Sequence, residues 1–187
     1  MRRKDREMDE SFGFDVIDQA NFGVVSLVGS NGEPISVPLS IVRKERHLFF
    51  HSSTSGEKVE QMPDGKRVSV AFVTDVHVPD LYPEEELNQL SESGDLVSVL
   101  GLKVFTTEFA SAIVRGRVFK ELNDTNKKEA LRLLCERFVP GKMKFFEAAT
   151  GDNLDMVAIY RIEIESLTAK HKKFGADREE LKFQRME

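Results

Sequence analysis

The segment HSSTSGEK, residues 51–58, concentrates residue types that bind an anion. It follows the apolar pair Phe49 and Phe50, which is typical of a strand that ends there. Four consecutive hydroxyl side chains can donate hydrogen bonds, Lys58 carries a positive charge, and Gly56 lets the backbone approach a ligand. The next residues predict a short helix, whose first N–H groups are unpaired and carry partial positive charge. The pattern therefore predicts an anion site, most naturally for phosphate.

The same residues also allow a purely structural interpretation. Thr54 and Glu57 match a capping box, in which the threonine accepts a hydrogen bond from the first turn and the glutamate reaches back. Lys58 is then a solvated lysine, the serines before it are helix caps, and His51 is a strand-end histidine bonded to backbone. The pattern alone leaves both interpretations open.

Other chemistries find less support in the sequence. A serine nucleophile needs a base, but Ser52 and His51 are neighbours in a strand and point to opposite faces. Cys135 is the single cysteine and has no close histidine partner, so we expect a structural thiol and no metal site. The three acidic residues Glu84–Glu86 are typical of the solvent-exposed first turn of a helix. No glycine-rich fingerprint follows a strand, which disfavours a Rossmann nucleotide site.

The composition suits one soluble domain. The chain has 187 residues, 40% of them hydrophobic, and a net charge of −5. That charge disfavours nucleic-acid binding, and no apolar run is long enough for a membrane helix. The first residues lack the apolar core of a signal peptide, and one cysteine excludes an internal disulfide. We therefore expect a cytoplasmic location, with neither nucleic acid nor membrane as a partner.

Alternation of apolar and polar residues predicts about six strands. They cover residues 22–29, 35–41, 48–52, 67–78, 105–122 and 155–170. Pro38 marks an edge strand and Gly116 a bulge. Met156 is expected to share one face of the last strand with Ala158 and the alternating apolar residues after it. Hairpin links and marginal helices indicate a mainly β fold, an antiparallel barrel with peripheral helices.

The clearest predicted helix covers residues 123–141, and a shorter one precedes the first strand. Residues 79–103 interrupt the β pattern with a loop and a helical turn. Their apolar side chains are expected to form one helix face over the barrel mouth or a partner chain. The members are Leu81, Tyr82, Leu87 and Leu90. A single domain is expected over residues 1–174, followed by a polar, mobile tail at 175–187.

Five segments in order resemble a known family. They are MRRKDREM at the start, SVPLSIV from 36, LFFHSSTSGEK from 48, RVSVAFV from 67 and FASAIVRGRV from 109. Together they are similar to the pyridoxamine phosphate oxidase-related FMN-binding split-barrel proteins, in particular the branch like nitroimidazole-resistance (Nim-type) proteins. The resemblance covers nearly the whole chain. It implies a six-stranded split barrel and a homodimer with FMN at the subunit interface.

The resemblance also implies which residues bind the cofactor, and it names no catalytic residue. Those expected to border the isoalloxazine ring are Val37, Pro38 and Leu39. Those expected to hold the phosphate end are His51, Ser52, Ser53 and Lys58. Ser111 is expected close to the cofactor, from a neighbouring strand or subunit. Phe109, Ala112 and the long segment 75–103 depart from the family pattern, which leaves the substrate side open.

Two functions fit this resemblance. The first is an FMN-dependent oxidoreductase that reduces a small organic acceptor, such as a nitroaromatic or a quinone, with reduced nicotinamide as donor. The second is a non-catalytic flavin- or haem-binding protein that serves as a sensor, carrier or store. His51 and His77 are the plausible axial ligands for haem, whereas His47 and His171 sit among charged residues and are expected at the surface.

Overall fold

The computed structural model describes residues 2–151 and 154–183, apart from the side chain of Glu57. These residues form one antiparallel sheet with helices around it. The strands are β1 Glu7–Met8, β2 Gly23–Val28, β3 Pro34–Leu39, β4 Val42–Lys44, β5 His47–Ser52, β6 Lys66–His77, β7 Glu108–Glu121 and β8 Ala158–Lys172. The α-helices are α1 Glu10–Gln19, α2 Glu57–Glu60, α3 Glu84–Ser93, α4 Leu96–Val99, α5 Asp124–Phe138 and α6 Phe146–Thr150.

The strand order is β3-β2-β6-β7-β8-β5-β4, and β1 pairs with the outer part of β8. This confirms the predicted mainly β fold with peripheral helices. The sheet has eight strands, not six, and within the described residues no ladder closes it. The two additional strands, β1 and β4, have two and three residues, too few to produce a recognisable alternation.

The two ends of the sheet are joined by a very short connection. β3 lies at one end of the strand order and β4 at the other, yet only Ser40 and Ile41 separate them in sequence. The sheet must therefore roll up until its ends meet, as in a split barrel. Its interior is filled by alternate side chains of the strands, and the rings of Phe50 and Tyr160 stack there at 5.1 Å.

The predicted bulge lies where β7 crosses β8. The register shifts between Arg115 and Gly116. A Cβ atom on Gly116 would lie 2.0 Å from the carbonyl oxygen of Glu163, so only glycine fits this crossing. Pro38 lies on β3, which pairs with β2 alone, so the edge position is also confirmed.

The helices differ from the sequence-based expectations mainly at their ends. α5 begins after Asn123, whose side chain accepts a hydrogen bond from the backbone N–H of Asn126 at 3.1 Å. Residues 79–105 are more helical than expected, with α3, α4 and a π-helical turn. Of the four residues expected on one helix face, Leu87 and Leu90 lie on α3, whereas Leu81 and Tyr82 precede it, so that prediction is only half right. All four side chains are half-buried. Met156 precedes β8 and is 72% exposed, so its predicted place on one strand face with the buried Ala158 is wrong. None of the helices in the described residues has the length and apolar character needed to span a bilayer.

The C-terminal segment, residues 173–183, folds back onto both the start of the chain and the insertion at 79–105. The backbone N–H of Phe183 donates to the carbonyl of Asp5 at 3.0 Å, and that of Phe174 to the buried Glu108 carboxylate at 2.7 Å. Ion pairs connect Arg178 to Glu86 and Lys103 to Glu179. These contacts argue against the expected mobile tail over the residues described.

His171 was expected at the surface, and that expectation is wrong. Its ring stacks between those of Phe12, at 5.1 Å, and Phe183, at 4.9 Å. This burial lowers the pKa of His171 below its ordinary value, and the charge of Lys173 adds to the effect.

Candidate functional site

The proposed anion-binding residues lie at the end of β5. Leu48 and Phe50 face the core, and Ser52 continues the same inward row at 5% exposure. His51 points to the opposite, exposed side. The serine and the histidine therefore do not face each other, as expected from their adjacency in a strand.

The Ser52 hydroxyl has no hydrogen-bond partner although its oxygen is buried. Buried polar groups are nearly always paired, and leaving one unpaired costs about 1–3 kcal/mol. Thr74, at the far end of β6, is the other residue in the described part with such an atom. The Ser52 oxygen is thus an unused donor and acceptor at the start of the loop that leads to α2.

Lys58 is half-buried and makes neither a hydrogen bond nor an ion pair with any described residue. A lysine that is partly removed from water without a counterion is suited to receive an anion. Between Ser52 and Lys58, Gly56 has φ +110 and nothing within 4 Å of where a Cβ would lie. The backbone at Gly56 is therefore not covered by any side chain, so a ligand can approach it closely. The Ser53 hydroxyl accepts a weak hydrogen bond from the N–H of Ser55 at 3.4 Å.

The helix after this loop contributes less than its sequence suggested. α2 is a single turn of four residues that begins at Glu57, so Gly56 rather than Thr54 precedes its first turn. A capping box would need Thr54 in that position, so the structural interpretation of Thr54 as the helix cap is wrong. Because one turn has little dipole, an anion site here depends on the Ser52 hydroxyl, Lys58 and the loop backbone.

The segment Val37 to Leu39 lies on the edge strand β3. Val37 and Leu39 are half-buried and Pro38 is exposed. In the neighbouring hairpin, Val42 pairs with Phe49. Only Ser40 and Ile41 join β3 to β4, so the end of β3 lies near this hairpin. The other expected cofactor residues apart from Ser111 follow at the end of β5, in the next loop and in α2.

Ser111 does not join that group within one chain. Ser52 is level with Ala158 on β8, whereas Ser111 is level with Lys170. From Ala158 to Lys170 is twelve residues, or about 40 Å measured along the strand. Ser111 instead lies on the outer face of β7, in the middle of the sheet.

A groove of about 550 Å³ surrounds Ser111. Arg115 and Lys170 line it, and neither makes an ion pair with a described residue. Ser166 and Thr168 of β8 add hydroxyl groups to it. These polar partners are not among the residues expected from the sequence, although the alternation Ser-x-Thr-x-Lys at the end of β8 indicates one outward polar row. The groove can hold a polar, negatively charged group.

The two candidate haem ligands differ in availability. The ring of His77 is engaged on both sides, with Nε2 3.1 Å from the buried Glu108 carboxylate and Nδ1 3.2 Å from the carbonyl of Asp75. His51 is exposed and has no partner among the described residues. Only His51 is therefore free to bind a ligand through its ring.

A family model described as pyridoxamine 5′-phosphate oxidase matches residues 13–171, which include all eight expected cofactor residues. No curated protein matches the sequence at a significant level.

Several solved structures share the fold. A proposed 5-nitroimidazole antibiotic resistance protein from Bacteroides thetaiotaomicron aligns at TM-score 0.64 and 17% identity, over 88% of this chain and 85% of its own. A FAD and heme binding protein from Mycobacterium smegmatis aligns at 0.67 and 19%, over 89% and 73%. A flavocytochrome from Azotobacter vinelandii aligns at 0.67 and 13%, over 96% and 80%. At these identities the likeness concerns the fold.

Proposed function

This chain belongs to the pyridoxamine 5′-phosphate oxidase family, and from that premise we propose that it is an FMN-binding flavoprotein that reduces a small organic acceptor. A nitroaromatic or a quinone is the acceptor class we favour. The observation that carries the proposal is a pair of side chains without a partner among the described residues, the buried Ser52 hydroxyl at the end of β5 and Lys58 in α2, on either side of one short loop. A phosphate bound at this loop would supply a counterion to Lys58 and an acceptor to the hydroxyl of Ser52.

The chain's own residues would bind and orient the cofactor. Lys58 would neutralise the phosphate, and the hydroxyls of Ser52 and Ser53 would donate to its oxygens. Bound flavin supplies the hydride or electron transfer, so no side chain is required as a general acid or base. The half-buried Val37 and Leu39 would exclude water from one side of the ring, with Pro38 between them.

We also propose a homodimer, and the position of Ser111 supports it. Because Ser111 lies far along β8 from Ser52 in the same chain, a second copy is the natural source of its contact with the cofactor. The outer face also exposes Val73, at 51%, and Ile113, at 37%, which supports a covered surface. Light scattering should give twice the chain mass of 21.2 kDa. A monomer that retains FMN would contradict this part of the proposal.

The second candidate is a non-catalytic flavin or haem protein. It is favoured by the free ring of His51 and by structural neighbours described as a FAD and heme binding protein and as a flavocytochrome. Absorbance separates the candidates, since oxidised flavin and haem have different bands, and the mass of the released cofactor separates FMN from FAD. Bleaching by reduced nicotinamide, followed by turnover on an acceptor, distinguishes an enzyme from a carrier.

The experiment that tests the proposal measures FMN and riboflavin affinity in two variants. Lys58→Ala should weaken FMN binding about 10- to 100-fold, because one charge-assisted contact is worth about 1.5–3 kcal/mol. Riboflavin, which lacks the phosphate, should bind unchanged. Ser52→Ala should also weaken FMN binding. It should stabilise the cofactor-free protein by about 1 kcal/mol, because it removes a buried hydroxyl that has no partner.

Lys173→Ala is the matched control. Lys173 is exposed, its side chain has no described partner, and it lies in the C-terminal segment away from the loop. FMN affinity should not change in this variant. A Lys58→Ala protein that binds FMN as tightly as the wild type would refute the phosphate site.

A further inference from the structure

A second cavity, of about 470 Å³, lies between α5 and the residues at 139–150 and 154–157. None of the proposed flavin-binding residues lines it. Its volume falls within the range of small-molecule sites, roughly 300–1,000 Å³. Leu131, Phe146 and Val157 contribute to its walls, so an occupant must be largely apolar.

The cavity is bordered by apolar side chains that the fold leaves uncovered. Met156 is 72% exposed, Phe145 54% and Val139 48%. A concentration of exposed large apolar residues around one concavity is typical of a binding site rather than of ordinary surface. Methionine and phenylalanine also adapt well to apolar and aromatic ligands.

One charged side chain on this surface has no partner among the described residues. Lys142 lines the cavity, and its side-chain ammonium has neither a hydrogen bond nor an ion pair among the described residues. The neighbouring cations are already engaged. Lys128 and Arg132 both pair with Glu147 at 2.5 Å, and Lys144 lies 4.9 Å from the centre of the Phe145 ring. Lys142 is therefore available to an anionic group on an otherwise apolar occupant.

From this arrangement we propose that the cavity binds a small apolar carboxylic acid. The apolar body fills the space beneath Phe146, and the carboxylate pairs with Lys142. A second copy of the chain fits less well, because it would have to cover the charge of Lys142 without supplying a defined counterion. The proposal does not rest on flavin binding, because none of the expected cofactor residues lines the cavity, although Val157 adjoins Ala158, the β8 partner of Ser52.

Cys135 provides a direct test because it lines the cavity and is the single cysteine of the chain. Its alkylation by iodoacetamide can be followed by intact mass in the presence of octanoate, with 1-octanol as the uncharged analogue. Octanoate should slow the alkylation of Cys135, and octanol should do so at higher concentration. Lys142→Met keeps the length of the side chain and removes its charge. This variant should bind octanoate about three- to tenfold more weakly and should bind octanol with unchanged affinity.

Lys144→Met is the matched control, two residues away and outside the cavity lining. In this variant, octanoate should slow the alkylation of Cys135 as much as it does in the wild type. Absence of protection by either compound would overturn the proposal, as would octanoate binding that is unaffected by Lys142→Met. Protection of Cys135 that rises with protein concentration alone would also overturn it, since a second copy would then cover the cavity.

Discussion

Replacing Glu180 by glutamine should lower the melting temperature and release the C-terminal segment from the start of the chain. Both carboxylate oxygens of Glu180 accept from Arg6, at 2.6 and 2.7 Å, and one also accepts from Arg3 at 2.9 Å. The side chains of Glu180 and Arg6 are only 18% and 15% exposed. Glutamine keeps the shape but can neither neutralise two guanidinium groups nor accept at both ends.

The magnitude follows from the pKa of Glu180. Burial acts to raise it, but the hydrogen bond from Arg6 and the contact with Lys182 outweigh burial and lower it from 4.5 to about 2. Such a fall corresponds to roughly 3 kcal/mol of stability. Solvent screening of the partly exposed cluster reduces this to about 2 kcal/mol. For a chain of this length, the melting temperature should fall by about 4–8 °C.

The pH dependence has a definite sign. Because folding lowers the pKa of Glu180, its contribution is complete above pH 4.5 and is lost as the pH falls towards 2. Thermal unfolding of wild type and Glu180→Gln should therefore differ most at neutral pH. The difference should shrink by more than half at about pH 3.

Glu179→Gln is the control for this experiment. Glu179 is adjacent in sequence and pairs with Lys103, but its side chain is 66% exposed. Its loss should shift the melting temperature by less than about 2 °C. Limited proteolysis at pH 7 should cleave the C-terminal segment faster in Glu180→Gln alone. Equal melting temperatures for wild type and Glu180→Gln, or a difference that does not change with pH, would refute the reasoning.

Two further variants test the sheet and the buried histidine. Gly116→Ala should lower the free energy of unfolding, measured with urea, by about 3 kcal/mol or more, because the new Cβ would overlap the carbonyl of Glu163. Gly141→Ala is the control, because a Cβ there would meet open space. Equal urea midpoints for the two variants would contradict the prediction. Because folding lowers the pKa of His171, wild type should lose stability as the pH falls below 6.5. His171→Phe keeps the ring stacking and should lose less stability than the wild type between pH 7.5 and 5.5. The same pH dependence of stability in both proteins would contradict this prediction.

Local alternation made most of the sheet predictable. The strand expected at 67–78 is found at Lys66–His77, and the helix expected at 123–141 at Asp124–Phe138. Both are long enough for their periodicity to exceed chance. Short elements failed that condition, and β4 lies in the gap between the strands expected at 35–41 and 48–52. Met156 continued the alternation of β8 by coincidence, since the strand begins only at Ala158.

Contacts between residues far apart in the sequence could not be predicted, for a different reason. Arg3 and Glu180 are 177 residues apart, and a charge at each end of a chain carries no sign of its partner. The anion-binding loop could be proposed because its residues are consecutive. That Ser52 lacks a hydrogen-bond partner, or that Lys170 shares a groove with Ser111, depends on strand register and burial, which the sequence does not specify.

The central position of β8 has a consequence for how the protein is made. β8 lies between β7 and β5 in the sheet, although it follows both in the chain. During translation, β2, β3, β6 and β7 can pair as they leave the ribosome. The β4–β5 hairpin has no neighbour until residues 158–172 have been synthesised. Until then, the edges of β5 and β7 are unsatisfied, and the nascent chain is exposed to wrong pairing and to chaperones at that stage.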